Sequence, residues 1–505
     1  MDFQISLLII PFILITLLNF FKSSSPKTEL HLPRGPKPWP IIGNIHQLGD
    51  KPHQNVAKLS KEYGPIMSLK LGSIPTIVIS CPKIAQEMFL KHDLAFSSRK
   101  VPVARKVTNH DKFSMIWLPV CPKWRTLRKV ATIQLFSKFR LDSSQVLREM
   151  KVNELVNYTR NCWKNGLPVD IGKAGFTTLL NMMSNTLFST DLGSHDYRSS
   201  SEEFKDIVWH LLEEGSKLNV SDFFPLLEVF DFQGVLKRNK FYFNKMLGIF
   251  DEIIEQRLSD GDSKLMVAKD DVLDTLLKLV KDNELSIDDV KHLLTDLFLA
   301  GSDTTFSTLE WAMTELLHNS QKMTRAQNEI DQVHGKNNNR SIQESDISNL
   351  PYIQAIVKET LRLHPPAPIL VPHTAQTDVE LSGYFVPKGT EVWVNVWSMG
   401  RDPTLWKNPN LFLPERFMEG NKEIDLKHQD FRFIPFGAGR RMCPGLPLAY
   451  RMVHLMLANL IYSFNWKYED GVGVENVDGQ ETFGLSMQRV DPLLLIPIPR
   501  YIKIS

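Results

Sequence analysis

The chain has 505 residues, 43% of them hydrophobic and 23% charged, with a formal net charge of +2. That composition supports a large globular core and lacks the concentrated basic excess that phosphate backbones require, which excludes nucleic acid as a general partner. Its cysteines, Cys81, Cys121, Cys162 and Cys443, form no Cys-x-x-Cys pair and no Cys/His zinc spacing, which argues against a disulfide framework or a structural zinc site.

From Phe3 to Phe21 the chain carries no charge, and those 19 residues are just long enough to cross a hydrocarbon layer. Asp2 precedes the run, and Lys22, Lys27, Arg34 and Lys37 follow it. The positive-inside rule keeps that basic flank in the cytosol and the tip in the lumen. A cleaved signal peptide needs a basic leader and a small-x-small cleavage site, and neither is present. Residues 1–22 are therefore expected to be an uncleaved single-pass membrane anchor, in which Pro11 is tolerated as a kink. In residues 23–44, Pro33, Pro36, Pro38 and Pro40 hold the backbone extended and make a stiff hinge. No linker or internal repeat divides residues 45–505, which read as one catalytic domain.

Ile66–Leu71 and Ile74–Ile79 are short β-rich runs joined by Gly72-Ser73, a hairpin signal. Trp124 and Arg128 stand four apart and share a helical face, where a bare cation–π contact is the simplest use of them. Phe204 to Leu218, Phe241 to Leu258 and Val272 to Lys281 carry helical periodicity. Between the first two, Phe223, Phe224, Leu226, Leu227, Phe230 and Phe232 suit either a membrane-facing access channel or ordinary core.

Ser286-Ile287-Asp288-Asp289 is a capping box opening a helix that runs to about Asn319. In its middle sits Ala300-Gly301-Ser302-Asp303-Thr304-Thr305. Glycine there costs about 1 kcal/mol against alanine, and the next residues are weak helix formers. One reading is a close helix contact at Gly301, with Thr304 bonding back to its own turn. Further on, Glu359 and Arg362 lie three apart on one helical face. Val379–Leu381 and Tyr384–Val386 make a second hairpin around Ser382-Gly383. The sum is mainly α with a minor β-sheet region; the hairpins disfavour an all-α bundle.

Phe436-Gly437-Ala438-Gly439-Arg440-Arg441-Met442-Cys443-Pro444-Gly445 is the most informative stretch. It combines an aromatic beside a sulfur, glycines that allow close backbone approach, and an arginine for a carboxylate. Pro444 and the apolar run Leu446 to Phe464 predict that Cys443 caps a helix with proline at its first position. Such a helix end favours the thiolate, the form that binds metal.

With this Phe-x-x-Gly-x-Arg-x-Cys-x-Gly spacing the stretch resembles the haem loop of the cytochrome P-450 superfamily of haem-thiolate monooxygenases. Asp93 to Arg99, Ala300 to Leu317 and Phe433 to Met452 resemble the plant microsomal, geraniol 8-hydroxylase-like group, and the likeness spans nearly all of the chain after the anchor. Departures occur at Phe431-Arg432-Phe433, at Met442 and at His373, where the family commonly has arginine.

The resemblance implies the cytochrome P-450 fold and a haem b whose iron is bound by Cys443. Trp124, Arg128, His373, Phe436, Gly439, Arg441 and Gly445 would contact the cofactor. It implies catalytic roles for Thr304, hydrogen-bonding at the oxygen-binding face, and for Asp303, passing protons inward. Phe298, Ala300, Gly301, Thr305, Ile369, Leu370 and Leu485 would line the substrate pocket. Arg416 of Pro414-Glu415-Arg416-Phe417 would join Glu359 and Arg362 in a structural triad. No Gly-x-Gly-x-x-Gly follows a strand, so electrons must arrive from elsewhere; the resemblance implies NADPH through a cytochrome reductase docking near Arg125, Lys129 and Arg440, with cytochrome b5 as a second candidate donor. The implied setting is the endoplasmic reticulum membrane with the body facing the cytosol. The implied reaction is O2-dependent oxidation of a small lipophilic terpenoid (monoterpenol, iridoid or diterpene). A phenolic or aromatic amino-acid-derived substrate such as tyrosine is the alternative. Two rival classes, an isomerase or dehydratase needing no outside electrons and an idle haem-binding scaffold, leave the Asp303-Thr304 pair without a purpose.

Overall fold

The computed structural model describes residues 31–195, 202–261, 271–336, 340–418, 424, 426, 430–468, 480–484 and 486–501. The expected anchor at 1–22 lies outside the described residues, and among those described no helix is long and apolar enough to cross a membrane. The described part of the hinge lies along a strand: Ser68 donates from its amide to Arg34 carbonyl (3.1 Å) and from its hydroxyl to Pro33 carbonyl (2.7 Å). A Cβ on Gly35 would sit 1.8 Å from the Ser68 carbonyl oxygen, so the approach needs glycine.

The helices that position the site are α1 (Gln145–Lys164), α2 (Ile171–Phe188), α3 (Ile287–His318), α4 (Pro351–Leu363) and α5 (Leu446–Ser463). The capping box forms at the start of α3, where Asp289 N–H donates to Ser286 Oγ (3.1 Å) and Ser286 N–H to Asp289 Oδ2 (2.9 Å). Apolar residues on several sides of α3, among them Leu293, Leu294, Phe298, Phe306, Leu309 and Met313, are buried. A helix apolar on more than one face belongs in the middle of a core, and α3 packs there against α2, α4 and α5. On α2, a Cβ at Gly175 would lie 3.2 Å from Leu309, which sets how closely these two helices approach.

Strands β1 (Ile66–Leu71), β2 (Ile74–Ile79), β3 (His373–Thr374) and β4 (Glu391–Val394) form one sheet in the order β1-β2-β4-β3. β1 and β2 make the expected antiparallel hairpin, closed at Leu71↔Ile74, with Gly72 at φ +60°. β2 runs parallel to β4. The second expected hairpin, Val379–Leu381 with Tyr384–Val386, also forms. Two strands not foreseen, β5 (Glu481–Thr482) and β6 (Gln488–Arg489), pair near the C-terminus. The fold is mainly helical with small sheets, as expected.

Glu359 and Arg362 are fully buried and joined twice, Nε to Oε2 and Nη2 to Oε1, both at 2.7 Å. Arg416 Nε reaches the same carboxylate at 3.0 Å and Leu413 N–H at 2.7 Å. The remaining Arg362 donors go to the carbonyls of Gly400, Pro409 and Leu411. This satisfied network ties the end of α4 to the 400–416 loop, the arrangement in which a buried ion pair is tolerated.

Candidate active site

The loop from Phe436 to Gly445 is closed by Cys443 N–H donating to Phe436 carbonyl (3.0 Å). Gly437 (φ +71°) and Gly439 (φ +66°) occupy the left-handed region that favours glycine. At Gly439 a Cβ would also meet Asp93 Oδ1 at 2.4 Å. Gly439 thus shapes the loop against Asp93, and it is not among the cavity-lining residues. The helix begins later than its proline suggests: Gly445 is the N-cap of α5, and the first-turn proline is Pro447. Cys443 therefore precedes the cap by two residues. Its sulfur still accepts hydrogen bonds from the amides of Gly445 and Leu446, with Arg128 and Arg99 nearby. Desolvation of the sulfur pushes the thiol above its ordinary value, although the residue as a whole is exposed where it opens on the cavity. A coordinated metal deprotonates a thiol outright.

Cys443 opens on a cavity walled by Phe436 and Gly445 from the loop, by Ala300, Gly301, Thr304 and Thr305 from α3, and by Leu370. Trp124, Arg128, His373 and Arg441 reach the same cavity. So do Arg99, Met182 and Met183, none of which was expected there. Arg99 follows an irregular stretch with no periodicity to expose it. The two methionines sit on α2, where sequence alone does not separate a cavity face from a core face. A Cβ on Gly301 would meet Met183 Sδ at 3.0 Å, so the room at this glycine is set by that side chain.

Three guanidinium groups converge on this cavity. Arg441 donates to the carbonyls of Ser97 (2.8 Å), Met115 (3.1 Å) and Leu118, and lies 4.8 Å from the centre of the Trp124 ring. Arg128 Nη2 donates to Met442 carbonyl at 2.5 Å. Arg99 Nη1 donates to Ile116 carbonyl at 3.1 Å, while its buried Nε has no partner among the described residues. Burial first, then repulsion from Arg441 and Arg128, lowers Arg99 to about 9; burial and Arg128 lower Arg441 to about 10. Crowded buried cations with an orphaned donor call for anions. A planar group carrying a metal and two carboxylates, as haem does, fits this set: the sulfur for the metal and the guanidiniums for the carboxylates.

Trp124 and His373, both in the cavity wall, also bond to backbone carbonyls. Trp124 Nε1–H donates to Met115 carbonyl (3.0 Å). The buried His373 has Nδ1 2.7 Å from Phe96 carbonyl, and burial with Arg99 and Arg441 depresses it to about 3. His373 is therefore neutral at physiological pH, with Nδ1–H donating and Nε2 bearing a lone pair, where the family commonly has a fixed cation.

Of the other expected pocket residues, Phe298 packs among Phe188, Phe204 and Phe250, and Ile369 joins the apolar cluster under β1 and β2; neither lines the cavity. Leu485 lies outside the described residues. Along the weak middle of α3, Ser302, Thr304, Thr305 and Thr308 each donate to the carbonyl four residues back, at 2.6–3.0 Å. This bonding loosens a helix locally. Asp303 does not line the cavity; it accepts from Gln488 Nε2 (2.5 Å) and from Ser486, and burial raises it to about 6.

A family model described as Cytochrome P450 matches residues 33–495. The chain is 54% identical over 484 residues to Cytochrome P450 monooxygenase 76AD131 of Lophophora williamsii, covering 95% of this chain and 96% of that protein. It is 50% identical to Cytochrome P450 76AD1 of Beta vulgaris, covering 94% and 95% respectively. It is 49% identical to Geraniol 8-hydroxylase of Catharanthus roseus, covering 98% and 99%.

Proposed function

The chain belongs to the cytochrome P450 family of haem-thiolate monooxygenases, and on that premise we propose that it oxidises a small lipophilic plant metabolite, a terpenoid, using O2 and electrons from NADPH. What carries this reading is the single cavity that Cys443, three guanidinium groups and the threonine face of α3 share. Its other walls, including Leu179, Met182, Leu297, Leu370 and Val371, are apolar and suit a lipophilic ligand. The likeness to geraniol 8-hydroxylase points to a monoterpenol, iridoid or diterpene.

Haem held by the Cys443 sulfur would supply the oxygen-activating chemistry. Cys443 would provide the metal ligand, and Arg99, Arg128 and Arg441 would hold the carboxylates. Thr304 Oγ1, now on the Ala300 carbonyl, swings by one rotamer to donate into the groove. Asp303 acts as the acid that returns a proton there. The apolar walls exclude water and orient the carbon to be oxidised. Arg125, Lys129 and Arg440 are exposed, and rim charges of this kind steer an acidic reductase, with cytochrome b5 as second donor. Arg440 enters that role already paired to Asp93 at 2.6 Å.

The proposed setting is the endoplasmic reticulum membrane, anchored through residues 1–22 with the body in the cytosol. Leu226, Val229, Phe230 and Phe232 are 61–83% exposed, which favours the membrane-facing use of that segment over a core one. A second reading, a phenolic or aromatic amino-acid-derived substrate such as tyrosine, is favoured by Asp296, a carboxylate in the cavity wall that accepts from Ser114 Oγ at 2.7 Å. Difference spectra of the resting enzyme titrated with geraniol and with tyrosine test the choice. A substrate-type shift for geraniol alone supports the terpenoid reading, and one for tyrosine alone replaces it.

A further inference from the structure

Just before His110 the chain takes two consecutive left-handed residues, Thr108 (φ +53°) and Asn109 (φ +56°). A β-branched residue such as threonine is strained in that region. The turn delivers His110 to the interior, where it is 1% exposed and packs on Phe243. Its Nδ1 lies 2.9 Å from Nδ1 of His292 on α3, and its Nε2 lies 3.2 Å from Oδ1 of Asp296 on the same helix.

Asp296 is the carboxylate in the cavity wall. Ser114 Oγ meets both of its oxygens, at 2.7 and 2.9 Å, and the Ile116 amide reaches Oδ2 at 3.4 Å. A carboxylate only accepts, so His110 turns an Nε2–H toward it. Burial lowers Arg99 and Arg105, and the charge of Asp296 opposes that in both. Met115 and Ile116, which follow Ser114, belong to the cavity wall themselves. One loop thus supplies apolar wall and also occupies the lone pairs of the acid in that wall. With those lone pairs free, the acid would attract cations and disfavour a lipophile that strips away its water.

We propose that Ser114 and His110 determine substrate specificity: by occupying Asp296 they fit the cavity to uncharged lipophilic ligands and turn organic cations away. Neither residue is part of the cavity wall, so both are positioning residues that act through Asp296. The inference deepens the terpenoid reading and rests on this cavity being the substrate pocket. Asp296 stands eight residues before Thr304, about 12 Å along the helix axis. A ligand anchored at the haem end must be elongated to sense it.

The test compares two elongated haem ligands of equal shape on the resting holoenzyme. One is N-(para-tert-butylphenyl)imidazole, which is neutral; the other carries trimethylammonium in place of the tert-butyl group. Both bind through an imidazole nitrogen, and visible difference spectra give each affinity. In the parent the neutral probe should bind tighter by about tenfold or more. Ser114→Ala should move the ratio toward the cation by about tenfold, the scale of one hydrogen bond to a charged group. His110→Phe, which keeps a ring against Phe243, should move it the same way and decides the matter if Ser114→Ala fails to load haem. In an Asp296→Asn background neither change should alter the ratio. A parent that prefers the cation, a ratio unmoved in these variants, or a shift that persists without the Asp296 carboxylate would overturn the proposal. Failure of the terpenoid reading shows separately, as the absence of a substrate-type shift with geraniol, and leaves the probe ratio readable.

Discussion

Asp303 and Thr304 are consecutive in the chain and meet different parts of the molecule. Thr304 lines the cavity with its hydroxyl on the Ala300 carbonyl (3.0 Å), while Asp303 accepts from Gln488 of the hairpin (2.5 Å). The hydroxyl is therefore the side chain of the pair already placed at the groove. Thr304→Ala should keep haem and fold while diverting electrons to peroxide, lowering product formed per NADPH several-fold, about 1 kcal/mol of selectivity or more. Peroxide and product measured together check this; unchanged coupling removes Thr304 from the mechanism.

Glu359 holds two buried guanidiniums and the Leu413 amide. Removing one partner of such a group strands the others, typically at about 3–5 kcal/mol. Glu359→Gln should lower the melting temperature sharply and reduce the yield of folded protein. A melting temperature equal to that of the parent would show the network to be dispensable.

Arg99, with its orphaned Nε in the cavity wall, should hold a haem carboxylate. Arg99→Leu should speed haem transfer to a scavenger protein about tenfold, equivalent to about 1.4 kcal/mol. The absorbance decay of the loaded protein reports this, and an unchanged rate would assign the guanidinium a purely local role.

His454 on α5 is fully buried, its Nδ1–H donates to Tyr450 carbonyl (2.5 Å), and burial depresses it to about 4 from an ordinary 6.5. The unfolded chain binds a proton there at mildly acid pH that the folded chain refuses. Stability from this residue is complete above about pH 6.5 and is lost as pH falls towards 4. The loss approaches about 3 kcal/mol at its limit. Denaturant melts from pH 7 downward should show that slope flattened in His454→Leu; an identical slope would place the acid sensitivity elsewhere.

What the sequence disclosed was mostly local. The Ser286 capping box, the Gly72-Ser73 and Ser382-Gly383 turns and the loop around Cys443 are written in residues a few positions apart, and each forms. The partners of Glu359 emerged because its arginines lie within recognisable motifs. What stayed hidden depends on contacts between distant segments. Asp303 meets a glutamine 185 residues away, and the neutrality of His373 follows from burial and from the nearby Arg99 and Arg441, which outweigh its bond to Phe96. The N-cap of α5 lies two residues beyond Cys443, because Pro444 and Pro447 both suit a helix entrance and only the backbone at Gly445 decides between them.

The central claim is that Cys443 binds the haem iron as a thiolate. The most direct measurement is the carbon monoxide difference spectrum of the reduced protein beside that of Cys443→Ser. A strongly red-shifted band in the parent that disappears in the variant is the result this structure predicts. A parent without that band, or a variant that keeps it, would contradict it.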